Sequence, residues 1–229
     1  MPHRTRPKID REIPELRDQL LRMAGLCEEI LDKSLHAIWS RDASLAAEVV
    51  TDDIAIDRIE VAIDDAVLQI LALASPVAGD LRQVLAIKTI ASNLERVGDL
   101  ARNIAGCAER LSKRNPITLP PGLHALADDS RALLRRSIES FVSLDATAAR
   151  LVLDRDDLID ELEDLLIRET IARLMANPDH TEQELDVIFI AQHLERIGDH
   201  ATNIAEEVIL AAEALNLKHS EKLANGGGE

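Results

Sequence analysis

Apolar residues recur at three- and four-residue intervals through most of the chain, broken only by short polar or proline-bearing gaps. The clearest row is Val84, Ile87, Ala91, Leu94, Gly98, Ala101, Ala105 and Ala108, the seam that one face of a bundle helix presents to its neighbours. Six such stretches predict six long helices, over residues 12–40, 43–74, 79–112, 123–143, 146–176 and 181–216. The gaps carry the chemistry of helix ends. Asp42 and Asp145 stand where N-caps belong, and Ser75–Pro76 closes the second stretch. Thr181 with Glu184 has the spacing of a capping box at the start of the sixth. The fold expected is all-α, two tandem antiparallel three-helix bundles related by pseudo-two-fold symmetry. The proline-rich run "NPITLPPG" separates them: a first repeat over 1–114, a linker over 115–122, a second repeat over 123–216 and a flexible glycine-rich tail over 217–229.

The two halves repeat each other in detail. "ASNLERVGDLARNIA" at 91–105 returns as "AQHLERIGDHATNIA" at 191–205, with ten of fifteen positions identical. "SRDASLAAEVVTDDIAIDRIE" at 40–60 aligns without a gap on "SLDATAARLVLDRDDLIDELE" at 143–163. The turn between second and third helices is three residues longer in the first half, around "SPVAGD".

Composition narrows the picture. The 229 residues are 46% hydrophobic but only 1% aromatic, represented by Trp39, Phe141 and Phe189. A core of Leu, Ile, Val and Ala suits close-packed helices better than sheets. Cys27 and Cys107 lie far apart with no CxxC spacing, so neither a disulfide framework nor a zinc knuckle is expected, and two free thiols suit a reducing compartment. No apolar run has the length of a membrane span, and the basic N-terminus has no apolar stretch behind it. A net charge of −16 argues against nucleic acid, whose phosphates need clustered Lys and Arg.

Acidic residues are arranged as well as abundant. The second helix of each half carries Asp, Asp and Glu at i, i+4 and i+7: Asp53, Asp57, Glu60 and then Asp156, Asp160, Glu163. The third carries Glu, Asp and Asn at i, i+4 and i+8: Glu95, Asp99, Asn103 and then Glu195, Asp199, Asn203. Each set lies on one stripe of its helix. A short turn makes the two helices antiparallel neighbours, so facing stripes build a patch of carboxylates and an amide in each half. Like charges at this spacing cost about 0.2–0.5 kcal/mol per surface pair. Two readings answer that cost. The acids are solvated and tied to Arg58, Arg96 and their counterparts, or an oxygen-only cluster holds a hard or borderline cation. Gly98 and Gly198, inside the motif, point to close helix packing or to access for an ion. His200 has Leu100 as its counterpart and lies outside the repeated site; His193 and His36 read as surface or boundary residues, and His3 as part of a disordered terminus.

"LERVGDLARNIA" and "LERIGDHATNIAEEV" resemble the paired signature of the PhoU family, regulators of phosphate uptake that accompany the phosphate-specific ABC transporter. "SPVAGDLRQVLAIKTIASNLERVGD" is similar to the stretch that leads into the first motif, and the resemblance covers residues 12–215. It implies a non-enzymatic, cytoplasmic protein, peripheral to the membrane through its partners only, for which a homodimer is compatible. It implies that the protein links the transporter ATPase to the phosphate-sensing histidine kinase and represses the starvation response when phosphate is plentiful. It also implies that Glu95, Asp99, Glu195 and Asp199 hold divalent or trivalent metal (iron, Mn, Mg or Zn), with the acids of the second helices matching the facing positions. Phosphate itself is not implied as a ligand. The alternative is a carboxylate-bridged metalloenzyme or a metal-storage helical protein. Di-iron bundles use Glu-x-x-His, and that spacing occurs nowhere in the chain. No P-loop, G-x-S-x-G or dinucleotide fingerprint is present either.

Overall fold

A computed structural model of the protein describes residues 6–74, 76 and 79–213. Among these there is no strand. Seven α-helices follow one another: α1 (Arg6–Ser40), α2 (Ala43–Ala74), α3 (Gly79–Ser112), α4 (Pro121–Ser143), α5 (Ala146–Leu153), α6 (Asp156–Ala176) and α7 (Thr181–Glu213), with a 3₁₀ turn over Pro178–His180. The tail 217–229, the last residues of the predicted sixth helix and His3 lie outside the described residues.

α1, α2 and α3 pack on one another, as do α4, α5–α6 and α7, and the third helices of the two units, α3 and α7, pack together along their length. They run antiparallel. Asn93 of α3 meets His200 of α7 (Oδ1 to Nδ1, 2.9 Å), whereas Arg110, further along α3, meets Asp186, further back on α7. α3 is therefore the central helix of the molecule, touching α1, α2 and α7, and its predicted seam is buried throughout. Buried apolar residues of both units form one continuous cluster. Cys27 and Cys107 are buried free thiols, and Cys27 donates to the Leu94 carbonyl.

Helix ends follow local chemistry at equivalent places. Arg41 and Leu144, equivalent in the repeat, take left-handed backbone conformations (φ 55° and 49°) that end α1 and α4. The next residue in each case is an N-cap. Asp42 Oδ1 accepts from the amides of Ser44 (2.8 Å) and Leu45 (3.2 Å), and Asp145 Oδ1 from those of Thr147 (2.8 Å) and Ala148 (3.1 Å). The left-handed Arg41 also turns its guanidinium onto the carbonyls that end α3, at Leu111 and beyond at Arg114.

Three features differ from the sequence expectation. α1 begins at Arg6 rather than at residue 12 and carries Pro14 in its interior, which removes a helical hydrogen bond and costs about 3 kcal/mol. Ile9, Ile13, Leu16 and Leu20 are buried along the same stretch, at about 1.5–3 kcal/mol for each fully buried aliphatic side chain, which outweighs that cost. The stretch 146–176 is two helices, because the backbone tightens at Asp154 and Arg155, where the Arg155 amide bonds the Val152 carbonyl in a three-residue step. The run Asp154-Arg155-Asp156-Asp157 puts three weak helix formers together there. The capping box does not form. Thr181 Oγ1 donates to the Pro178 carbonyl, while Glu184 is taken by Arg173 of α6 at 3.0 Å.

Candidate metal-binding site

In the first half, α2 and α3 bring the two acidic stripes face to face. Asp53 is only 2% exposed, and its carboxylate is met across the helix pair by Arg102, Nη1 to Oδ2 at 2.6 Å. The other nitrogen of the same guanidinium, Nη2, is 2.6 Å from Asp99 Oδ1. Arg96 lies 3.4 Å from both Glu95 and Asp99, and Lys88 pairs with Glu60 (3.6 Å) and with Asp64. Asp57 is exposed. Burial raises the carboxyl of Asp53 above the usual range against the opposing Arg102 charge. Burial likewise raises Glu95, helped by repulsion from Asp99, Asp57 and Glu60 and opposed by Arg96.

Gly98 explains how the helices come so close. A Cβ there would stand 2.9 Å from Asp53 Oδ1 and 3.2 Å from Ile56 Cδ1. Its counterpart Gly198 would place a Cβ 3.1 Å from Ile159 Cγ2. Both glycines serve the approach of the second helix to the third, and only Gly98 also leaves room for a carboxylate.

The second half has the same acids in a different charge environment. Asp156, Asp160 and Glu163 on α6 face Glu195 and Asp199 on α7. Among the described residues, none of these five has a Lys or Arg nitrogen within ion-pair distance. Glu195 is pushed up to about 7 by burial, then by the charges of Asp199, Asp160 and Glu163, with Arg196 opposing. Asp156 is pushed up to about 6 by burial and by repulsion from Asp160, Asp199, Asp157 and Glu206. Asp199 and Glu163 are raised as well, burial first. Asp160, Glu161, Glu163, Asp164 and Glu195 line a hollow of about 380 Å³ with no cation in its wall.

The expected donors are thus brought together in each half, apart from the amides. Asn103 is exposed, and the side chains of Asn103 and Asn203 hydrogen-bond to no other described residue. Among the described residues, no three His, Cys, Asp or Glu side chains converge closely enough to form a ready cage. In donor chemistry the second half fits a hard cation, since its side chains offer oxygen donors that repel one another and have no Lys or Arg in direct contact. The first half fits one poorly, because Arg102 already occupies Asp53 and Asp99 and Lys88 already pairs with Glu60. These two cations were not among the partners expected from sequence. A position-by-position reading of the repeat carries the signal: Arg102 aligns with Thr202, Lys88 with Ile188, Asp64 with Ile167 and Arg58 with Glu161. His200 is partly buried against Asn93 at the α3–α7 seam, away from the acids' facing stripes.

The PhoU domain matches the chain twice, over residues 20–108 and 123–208. Relatives include the phosphate-specific transport system accessory protein PhoU homologue of Aquifex aeolicus, 35% identical over 212 residues, with 93% of this chain and 96% of that protein covered. The homologue of the same description in Rhizobium meliloti is 33% identical, covering 89% of this chain and 86% of its own length. Among solved structures, PhoU from Pseudomonas aeruginosa superposes with a TM-score of 0.86 at 31% identity, over 90% of this chain and 99% of that one. The phosphate transport system regulatory protein PhoU from Streptococcus pneumoniae gives 0.84 at 30% identity, over 91% and 100%. The repeated helical units, the twofold match and these relatives agree: the chain belongs to the PhoU family.

Proposed function

We propose that this protein is a non-enzymatic regulator of phosphate uptake. It acts in the cytoplasm, peripheral to the membrane, between the ATPase of a phosphate-specific ABC transporter and a phosphate-sensing histidine kinase, and it holds the starvation response off when phosphate is plentiful. The observation that carries this reading is the twofold PhoU-domain match, joined to relatives named as accessory proteins of the phosphate-specific transport system. No helix among the described residues is long and apolar enough to cross a membrane, so membrane contact would run through partners. The test is a deletion strain carrying a starvation-gene reporter in phosphate-rich medium. Derepression that the wild-type chain reverses supports the reading, and a reporter that stays silent in the deletion opposes it. Capture of the transporter ATPase or the kinase by the tagged chain tests the partners separately.

Metal binding at the acidic clusters belongs to the same proposal. Asp156, Asp160, Glu163, Glu195 and Asp199 are the residues that would hold a cation, and a bound divalent ion would supply the positive charge these oxygens lack. Titration of the purified protein with Mn²⁺ near pH 7.5 tests it directly.

A further inference from the structure

The two acidic clusters come from one duplicated unit, yet the basic side chains in contact with their facing stripes differ. In the first, Arg102 bridges Asp53 and Asp99 with two contacts of 2.6 Å, and Lys88 pairs with Glu60 and Asp64. In the second, the aligned residues are Thr202 and Ile188, and Asp64 is replaced by Ile167. Thr202 does not approach the carboxylates; its hydroxyl donates to the Asp199 backbone carbonyl at 2.8 Å. Arg58 of the first half is Glu161 in the second, where it lines the acidic hollow. Arg102 and Lys88 are cations in contact with the first cluster that the second lacks, while Arg168, the counterpart of Asp65, pairs with Asp164 beside the second.

Arg102 cannot be treated as a surface residue that drifted into contact. Asp53 is buried, its Oδ1 has no hydrogen-bond partner, and the guanidinium on Oδ2 is its close counter-charge. A carboxylate removed from water needs such a partner. A metal ion at Asp53 and Asp99 would have to displace Arg102 from both and would then face that displaced positive charge nearby. In the second cluster Arg196 acts on Glu195 and Asp199 only from beyond ion-pair distance, so no cation has to be displaced.

We infer that the two halves have diverged in what neutralises them, with Arg102 the resident cation of the first cluster and a divalent metal ion taken up by the second cluster alone. This rests on the metal-binding part of the proposed function and replaces the two equivalent sites expected from the repeat with one.

The experiment is calorimetric titration of the full chain with Mn²⁺ at pH 7.5, with circular dichroism to confirm folding. The wild type binds at the second half only. Glu195→Gln/Asp199→Asn weakens binding at least about tenfold, whereas Glu95→Gln/Asp99→Asn leaves affinity and stoichiometry unchanged. Thr202→Arg, which gives the second cluster the arginine of the first, also weakens binding at least about tenfold, and Mn²⁺ no longer raises its melting temperature. Arg102→Thr opens the first cluster and adds a second class of bound Mn²⁺; if that variant does not fold, the Thr202→Arg result decides. Equal losses from the two double variants, or wild-type affinity in Thr202→Arg, overturn the division while leaving metal binding intact. A wild type that binds no Mn²⁺ overturns both, and the reporter assay still judges the regulatory role.

Discussion

Arg102 and Asp53 sit 49 residues apart and on different helices, yet their closest atoms are 2.6 Å apart and one of the partners is almost wholly buried. The pair joins α2 to α3 beside Gly98, where an added Cβ would stand 2.9 Å from Asp53 Oδ1. Arg102→Met keeps much of the side-chain volume and removes the charge. Breaking a fully buried pair costs about 3–5 kcal/mol. Here the guanidinium is 39% exposed, so a loss of about 2 kcal/mol is expected at pH 7.5. Asp53 has a raised carboxyl and protonates readily, so the loss shrinks toward pH 4.5. Urea denaturation at the two pH values checks both statements, and a variant as stable as the wild type at pH 7.5 would show that the pair does not hold the helices.

Glu195 sets a second pH dependence. Its folded-state value of about 7 lies above the unfolded one near 4.5, so the folded chain binds the extra proton between them. Stability therefore falls as pH rises through that window. Asp156, at about 6, adds to the same slope. Glu195→Gln removes its share and stabilises the metal-free protein on the order of 1 kcal/mol at pH 8, after allowance for solvent screening. Unfolding midpoints from pH 5 to 8 should decline less steeply in the variant; parallel profiles would contradict the assignment. Saturating Mn²⁺ should reverse the comparison, since a ligand bound only by the folded state adds to stability by mass action.

The glycines offer a test with a built-in control. Gly→Ala inside a helix gains about 1 kcal/mol of propensity where space is open. Gly25, where an added Cβ would meet nothing within 4 Å, should show that gain. At Gly98 the new methyl meets a buried carboxylate oxygen at 2.9 Å, and overpacking costs about 1–3 kcal/mol. Gly98→Ala should thus be net destabilising by about 1 kcal/mol. Gly198→Ala, which meets only a branched methyl of Ile159 at 3.1 Å, should fall between the two. Melting temperatures in the order Gly25→Ala, Gly198→Ala, Gly98→Ala are expected, and a reversed order would mean the helix pair has slack.

Much of this architecture could be read from residues alone. The seam from Val84 to Ala108 and the caps at Asp42 and Asp145 are local signals, and the structure uses them as such. The facing of the acidic stripes followed from helical period and a short turn. What escaped were contacts between elements. Glu184 has capping-box spacing to Thr181, but Arg173, eleven residues earlier, reaches it first. Arg102 stands three residues after Asp99, but only the packing of α2 against α3 shows that it also bonds Asp53. The break at Asp154 leaves the apolar period undisturbed, so periodicity alone passes over it.

The seam between the two units carries its own prediction. Asp186, 3% exposed, accepts from Arg110 (Nε 2.8 Å, Nη2 2.6 Å) and from Arg114 (Nη1 2.6 Å), and so ties the end of α3 to the start of α7. Its counterpart in the first half is Ala86, so the repeat supplies no second copy of this bridge. Asp186→Asn keeps the shape and removes the charge that two guanidinia share. Arg110 and Arg114 are 48% and 28% exposed and can turn to water, so the expected loss is about 2 kcal/mol, below the range for a fully buried pair. The urea midpoint should fall with little change in slope, since the surface exposed on unfolding stays the same. Hydrogen exchange should quicken first around residues 110–114 and 182–190, because the bridge holds a helix end rather than the helix middle. A buried acceptor is screened less than a surface one, so high salt should weaken the wild-type seam only slightly. Wild-type midpoint and exchange in Asp186→Asn would mean that apolar packing between α3 and α7 holds the halves together unaided.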